Sequence, residues 1–461
     1  MHVARPAPLA ARLLACALAC APDAATAEPV AFVGAEIRTV SGASIPDGVL
    51  VFEGGAITAV GRRGEVAIPE GARVVDQAGR VVVPGLVDTH SHIGVYPRPL
   101  VPAHRDANDL AKPVQPQLRA IDAIWPDDPG IRMATAGGIT TANIMPGSGS
   151  VVSGQTAYVK LRGRSVEEML VGAAGARSGE GGDATGVQGG MKMANGENPK
   201  RQGAEKSQPP ATRMGIVALQ RDLFVRARAY QKKWATHREK VAKGVDSEEP
   251  GRDLELEPVV EILEGRRTVH HHTHRSDDIL SVLRVQREFG FDLVLQHATE
   301  AWAVVDEIAR AGVGVSIIML ESPGGKPEAS RYRLDYGAIL ERAGVPVAIH
   351  TDDFITPSQL FLRSGALAVR GGMTEAGALR ALTLTPAGML KLESRIGSIE
   401  VGKDADFAVL SGPPFSTYTH VLETWIEGER VFDRGDPAQR VFATGGFALG
   451  AAYPRLAEAS R

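Results

Sequence analysis

Histidine is sparse in this chain, with 12 residues in 461, yet the chemistry the sequence offers gathers on a few of them. His90 and His92 stand one residue apart where an apolar run gives out after Pro84-Gly85-Leu86-Val87-Asp88-Thr89. Residues two apart on a strand share a face, so both imidazoles point the same way. Two neutral imidazoles on one face suit a borderline cation such as zinc. His272 and His274 repeat the spacing after Thr268-Val269-His270-His271, and His297 closes Leu293-Val294-Leu295-Gln296. Asp352, with Asp353 beside it, follows the apolar run 345–350. Backbone or water satisfies any one of these as a polar strand end. Four separate runs that all end in histidine or aspartate fit a metal centre assembled from the ends of several strands.

Such strands have to come from the pattern around them. Between 81 and 350 short apolar runs alternate with helical periodicities, the signature of a parallel sheet with crossover helices. Eight candidate strands lie at 81–87, 139–145, 156–161, 191–195, 268–272, 293–297, 313–318 and 345–350, with helical patterns at 277–289, 302–311 and 359–370. Eight such units predict an α/β fold, a (β/α)8 TIM-like barrel. Both ends read differently. Residues 28–83 and 397–440 hold short strands and turns such as Glu53-Gly54-Gly55 and Glu427-Gly428-Glu429, so they predict one small β-sandwich made from both ends of the mature chain. The barrel then spans 84–396, with an insertion at about 199–258, and 441–461 is a tail. The glycine-rich segment 172–190 reads as a loop. Within the insertion Ile216, Leu219, Leu223, Ala227, Tyr230 and Trp234 recur three and four apart, which predicts a helix packed on the barrel exterior, with a lid as the alternative.

Composition removes other classes. Lys plus Arg number 51 against 54 Asp plus Glu, a formal net charge of −3, which argues against a nucleic-acid binder. The 44% hydrophobic content is that of a globular chain. Arg5 and Arg12, an apolar run at 13–21 and Ala25-Thr26-Ala27 read as an export signal over 1–27, so a secreted or periplasmic protein is expected. Both cysteines, Cys16 and Cys20, fall in that segment, leaving the mature chain without sulfur ligands; Cys20 keeps a lipoprotein anchor open as the minority alternative. No other run is long enough for a membrane span.

Pro84-Gly85-Leu86-Val87-Asp88-Thr89-His90-Ser91-His92 resembles the opening metal motif of the amidohydrolase superfamily, and Gly397-Ser398-Ile399-Glu400-Val401-Gly402-Lys403-Asp404-Ala405-Asp406-Phe407 resembles its closing segment. The imidazolonepropionase and Xaa-Pro dipeptidase branches are the nearest in pattern. The resemblance implies one or two divalent metal ions, most simply zinc. It implies that His90 and His92 hold the more buried ion, that His272 and His297 hold the second, and that Asp352 binds metal and shuttles the proton. His272 is preferred to His274 as ligand because one small residue and then a polar one follow it, although the run His270-His271-His272 departs from the family; His274, inward by parity, is assigned to substrate. Two residues compete to bridge the metals. Lys192, in Met191-Lys192-Met193-Ala194, resembles the carboxylated lysine of Xaa-Pro dipeptidase-like members. Glu197 resembles the glutamate ligand of the N-acetylglucosamine-6-phosphate deacetylase branch. Five residues apart on a strand, they face opposite sides, and Met191 and Met193 suit the outside, so Lys192 is favoured. Arg275 is placed either as a fork for a substrate carboxylate or as a surface arginine heading the 277–289 helix.

The function this implies is hydrolysis of a C–N bond in a small-molecule substrate (an amide, cyclic amide or N-acyl amino acid) by a metal-activated hydroxide. A dipeptidase or carboxypeptidase acting beside proline or a basic side chain and a non-catalytic barrel scaffold are the alternatives. Self-association as a homo-oligomer is left open.

Overall fold

The structure is a computed structural model that describes residues 28–172, 189–320, 322 and 324–445. The export-signal reading of 1–27 with Cys16 and Cys20, most of the glycine-rich segment and the end of the tail lie outside the described residues. The fold is mixed α/β, with three sheets among the described residues.

Six strands form the largest sheet of the central region, in the order Val347–His350, Gly314–Ile318, Leu293–His297, Val269–Thr273, Met191–Ala194 and Val152–Gln155. The first five run parallel. Their residues are almost all buried, as expected of strands covered on both faces, which is why they read as unbroken apolar runs rather than as an alternation. A second sheet pairs Leu86–Ser91 in parallel with Ile139–Ile144, and Ala157–Lys160 joins it antiparallel. The two ladders meet where Ser91 bridges Asp353 and where the Asp352 N–H donates to the His90 carbonyl at 2.9 Å.

Two expected strands come out differently. The run 81–87 divides at Gly85: Val81–Pro84 belongs to the sheet of the chain ends and Leu86–Ser91 to the central region. Gly85 donates to the Asp406 carbonyl while Leu86 donates to Gly138. A Cβ at Gly85 would lie 2.2 Å from Thr140 Oγ1, so glycine permits the crossing. The segment 156–161 is not a parallel unit. Too few residues separate Ile144 from Val152 and Gln155 from Ala157 for a crossover helix; Val152–Gln155 pairs antiparallel with Met191–Ala194, and Ala157–Lys160 antiparallel with Ile139–Ile144.

Both ends of the described chain build one eight-stranded sheet, with Glu429–Asp433, Val421–Ile426, Phe407–Leu410, Val81–Pro84, Val30–Ile37, Ile45–Glu53 and Ala56–Arg62 in order and Arg73–Asp76 beside Val30–Ile37. Phe52 and Trp425 sit four strands apart in that order, yet their rings are 5.4 Å apart. Neighbouring strands are separated by about 4.8 Å, so the sheet must curl over to bring them together around Phe32 and Phe407.

In the insertion, Arg213–Ala242 is one helix. Ile216, Leu223 and Ala227 of the expected stripe are buried, Leu219 and Tyr230 partly so, and Phe224 adds to it by stacking on Phe289 and Phe291. The helix thus packs on the helix Ser276–Phe289, as expected of an exterior element.

Candidate metal centre

The imidazoles of His90 and His92 leave the end of Leu86–Ser91 together, with ring centroids 5.1 Å apart. His92 Nδ1–H donates to the Met145 carbonyl at 2.8 Å, and His90 Nδ1 is 3.2 Å from Gln296 Oε1. These contacts fix both rings with Nε2 turned toward Asp352, whose Oδ1 lies 3.4 Å from His90 Nε2 and 3.2 Å from His92 Nε2. An outer hydrogen bond that sets tautomer and orientation is the usual support for a metal-binding imidazole. Asp352 and His297 stand at φ 49° and 65°, in the left-handed region. Such conformations cost about 1–3 kcal/mol and persist where surrounding structure imposes them; here they aim two strand-end side chains at the site.

His272, His274 and His297 form the other half. Their rings lie 4.6–5.0 Å apart, and their ligand atoms fall within 4.8 Å of one another, as do those of His90, His92 and Asp352. His90, His297 and His350 make a third such group. His90 and His297 stand 4.7 Å apart ring to ring, so the two halves are contiguous.

Burial, reinforced by the positive charge of Lys192 and by neighbouring imidazoles, holds His90 well below the ordinary histidine range; burial likewise lowers His272, His274 and His297. The rings are therefore neutral and present lone pairs. Burial alone would raise Asp352, but the His92 hydrogen bond and nearby positive charge prevail and its carboxyl lies below the usual range. His272 Nδ1 is buried with no hydrogen-bond partner. Neutral imidazoles, an anionic carboxylate and an unsatisfied ring nitrogen fit a borderline divalent cation. The cluster is able to hold a metal.

Lys192 is fully buried, and its Nζ donates to His90 Nε2 at 2.9 Å. Burial pulls its pKa down to about 7. Glu197 does not lie on that strand; it opens the helix Glu197–Glu205, and its side chain lines the cavity over the centre. Arg275 is not among the cavity residues. Its Nε and a terminal nitrogen each donate to Asp277 at 2.9 Å, and the side chain is 44% exposed, so the surface alternative is the one observed. His90, His92, His272, His274, His297 and Asp352 come together there with Lys192 against His90, whereas Glu197 only lines the cavity.

Sequence reasoning passed over His350, Gln296, Lys326 and Glu328. His350 ends the strand Val347–His350 two residues before Asp352, the same spacing as His90 and His92, so the reasoning used for that pair pointed to it as well. Its Nε2 lies 3.0 Å from His297 Nδ1, and its Nδ1 lies 2.7 Å from Ser316 Oγ. Lys326 and Glu328 come from the loop after Gly314–Ile318 and carry no spacing that marks them. The cavity has a volume of about 610 Å3 and is lined by His92, His272, His274, His297 and Asp352, with Tyr96, Arg201, Lys326, Phe354 and Ile355 among the residues above them.

A buried cluster of histidines with one aspartate, able to hold a metal, lies at the ends of parallel strands in an α/β fold. The Amidohydrolase family model matches residues 81–431, and the chain belongs to that family. Amidohydrolase tasK of Hapsidospora irregularis is 30% identical over 395 residues, 84% of this chain, while the chain spans 40% of that protein's length. The 5-methylthioadenosine/S-adenosylhomocysteine deaminase of Symbiobacterium thermophilum is 25% identical over 81% of this chain and 83% of its own. The crystal structure of an amidohydrolase from Thermotoga maritima superposes with a TM-score of 0.80 at 35% identity, covering 88% of this chain and 100% of that one.

Proposed function

We propose that the chain is a metal-dependent hydrolase of carbon–nitrogen bonds in small molecules, acting on an amide, a cyclic amide or an N-acyl amino acid. The observation that carries this reading is the convergence of His92 and Asp352 with His272, His274 and His297 on the lining of one cavity, with His90 buried against Asp352 beside them. Family membership supports it, and the names amidohydrolase and deaminase borne by two relatives both denote cleavage at a C–N bond. The central strands are read as a (β/α)8 barrel closing between Ser91 and Asp353, and the curled end sheet as a β-sandwich. His90, His92 and Asp352 would hold one ion. His272 and His297 would hold a second, with Lys192 bridging once carboxylated, because a bare buried ammonium beside two dications is costly. Zinc is the ion that this imidazole-rich set suits best.

A bound divalent ion supplies Lewis acidity and a water acidic enough to lose its proton near neutral pH. The protein's own part is to orient and to move protons. Asp352, anionic at neutral pH, accepts a proton on its carboxylate and returns it to the departing nitrogen, as general acid–base catalysis requires. Gln296 and the Met145 carbonyl hold the tautomers of His90 and His92 through the cycle. His274, anchored through Nδ1 to Thr299 Oγ1 at 2.7 Å, faces the substrate. The opening segment 1–27 is read as an export signal, placing this activity outside the cytoplasm. A screen of N-acyl amino acids, dipeptides and lactams with zinc-loaded protein tests the function. Release of an amine from one of these classes is expected; hydrolysis of none of them would count against it.

A further inference from the structure

Arg275, one of whose two sequence readings was a fork for a substrate carboxylate, is committed to Asp277 outside the cavity. Lys326 lies inside it. We propose that Lys326 is the anion-binding residue of the cavity and that the substrates carry a free carboxylate close to the scissile bond, as N-acyl amino acids do. For the reaction this rests on the hydrolase reading above; for the binding it does not.

The loop is built to present this lysine. Gly324 and Gly325 stand at φ 62° and 76°, which glycine adopts without strain, and they turn the chain back over the site. Two residues after Lys326 the loop is pinned by Glu328, which is 4% exposed. Glu328 Oε2 accepts from the Glu197 N–H at 2.8 Å and lies 3.6 Å from the guanidinium of Arg213, at the start of the insertion helix. Gly196 makes room for that carboxylate, since a Cβ there would lie 2.5 Å from Glu328 Oε2.

An ammonium has three donors. Lys326 Nζ spends one on His274 Nε2 at 2.9 Å and faces Glu328 Oε1 at 3.4 Å. Neither partner is a metal ligand in the assignment above, so both are kept when the centre is loaded. The third donor is left for the cavity, to which the side chain is open at 25% exposure. His272 Nε2, at 3.5 Å, is at the limit of a hydrogen bond and does not compete for it. Arg201 adds a second cation to the cavity lining, where among the described residues Glu197 and Asp352 are the carboxylates. Tyr96, Phe354 and Ile355 also line the cavity, with Tyr96 and Phe354 edge to face at 5.8 Å. An anchored cation together with an apolar, aromatic lining suits an acid that carries an apolar acyl group.

The experiment compares N-benzoylglycine with N-benzoylglycinamide, which lacks the negative charge. Binding is measured by calorimetry and turnover by glycine or glycinamide release, in the wild type, Lys326→Met and Lys326→Arg, each checked for fold by circular dichroism and for metal content. The wild type is expected to favour the acid by roughly 10–100-fold, the range of one charge-assisted hydrogen bond. Lys326→Met should lose most of that preference, chiefly in Kd and KM, and Lys326→Arg should keep it. Preferential binding of the acid that depends on Lys326, without turnover, upholds the anion site while counting against the hydrolase reading. Turnover with an equal acid preference in wild type and Lys326→Met upholds the hydrolase and overturns the anion site. Binding of neither compound also overturns it.

Discussion

At the residue scale, the two duties proposed for Asp352 are separated from its shape by a single substitution. Asp352→Asn preserves volume but removes the negative charge and the proton acceptor. Turnover is expected to fall about 10²–10⁴-fold with the melting temperature little changed, as kinetics and thermal melts on one preparation would show. The buried histidines make a second prediction. Burial, aided by Lys192, lowers His270 to about 3, and burial lowers His271 to about 3 although a hydrogen bond to the His272 carbonyl opposes it. Both groups bind protons more readily once unfolded, where the ordinary value is 6.5. Their contribution to stability is therefore complete above pH 6.5 and is lost as the pH falls from there toward 3, by up to about 1.4 kcal/mol per pH unit per group. Melting temperatures of the metal-free protein between pH 7 and 5 should fall accordingly, and a flat profile would contradict the burial of these rings. The ligand positions were legible because a strand's two-residue parity and an abrupt apolar-to-histidine boundary are local. Lys326 and Glu328 were not, because a loop's return over a site depends on what pins it, here the Glu197 amide and Arg213, both remote in sequence.

At the element scale, the parallel strands were readable because strands buried on both faces are continuous apolar runs. The division of 81–87 at Gly85 was not, since Pro84 and Leu86 are equally apolar and only the partners, Asp406 and Gly138, differ. Nor did the apolar run 156–161 reveal its direction, which the short links before Val152 and Ala157 decide. The turn between Met191–Ala194 and the helix Glu197–Glu205 supplies a prediction. Gly196 has φ 84° and touches Glu328. Gly196→Ala should cost about 1–3 kcal/mol through backbone strain and displace Glu328 as well. Denaturant melts would register the first effect and a weakened acid preference in N-benzoylglycine binding the second; an unchanged midpoint would contradict the strain.

At the scale of the whole molecule, the end sheet is tied to the central strands by charge as well as by packing. Lys160, fully buried, reaches Asp404 at 2.8 Å and Asp406 at 2.5 Å, and Arg395 joins through Asp404 at 2.9 Å. Lys160→Met would leave the buried Asp406 without its counter-charge, and breaking such a pair typically costs about 3–5 kcal/mol. A loss of that size in urea unfolding is expected. The central claim, that this cluster holds a divalent metal, is tested most directly by titrating zinc into chelator-treated protein with calorimetric detection and elemental analysis, in the wild type and in a His90→Ala/His92→Ala variant. The wild type should bind at least one zinc per chain tightly, and the variant should lose a tightly bound ion. Wild-type protein that takes up no zinc, or a variant that binds it with the same stoichiometry and affinity, would contradict the claim.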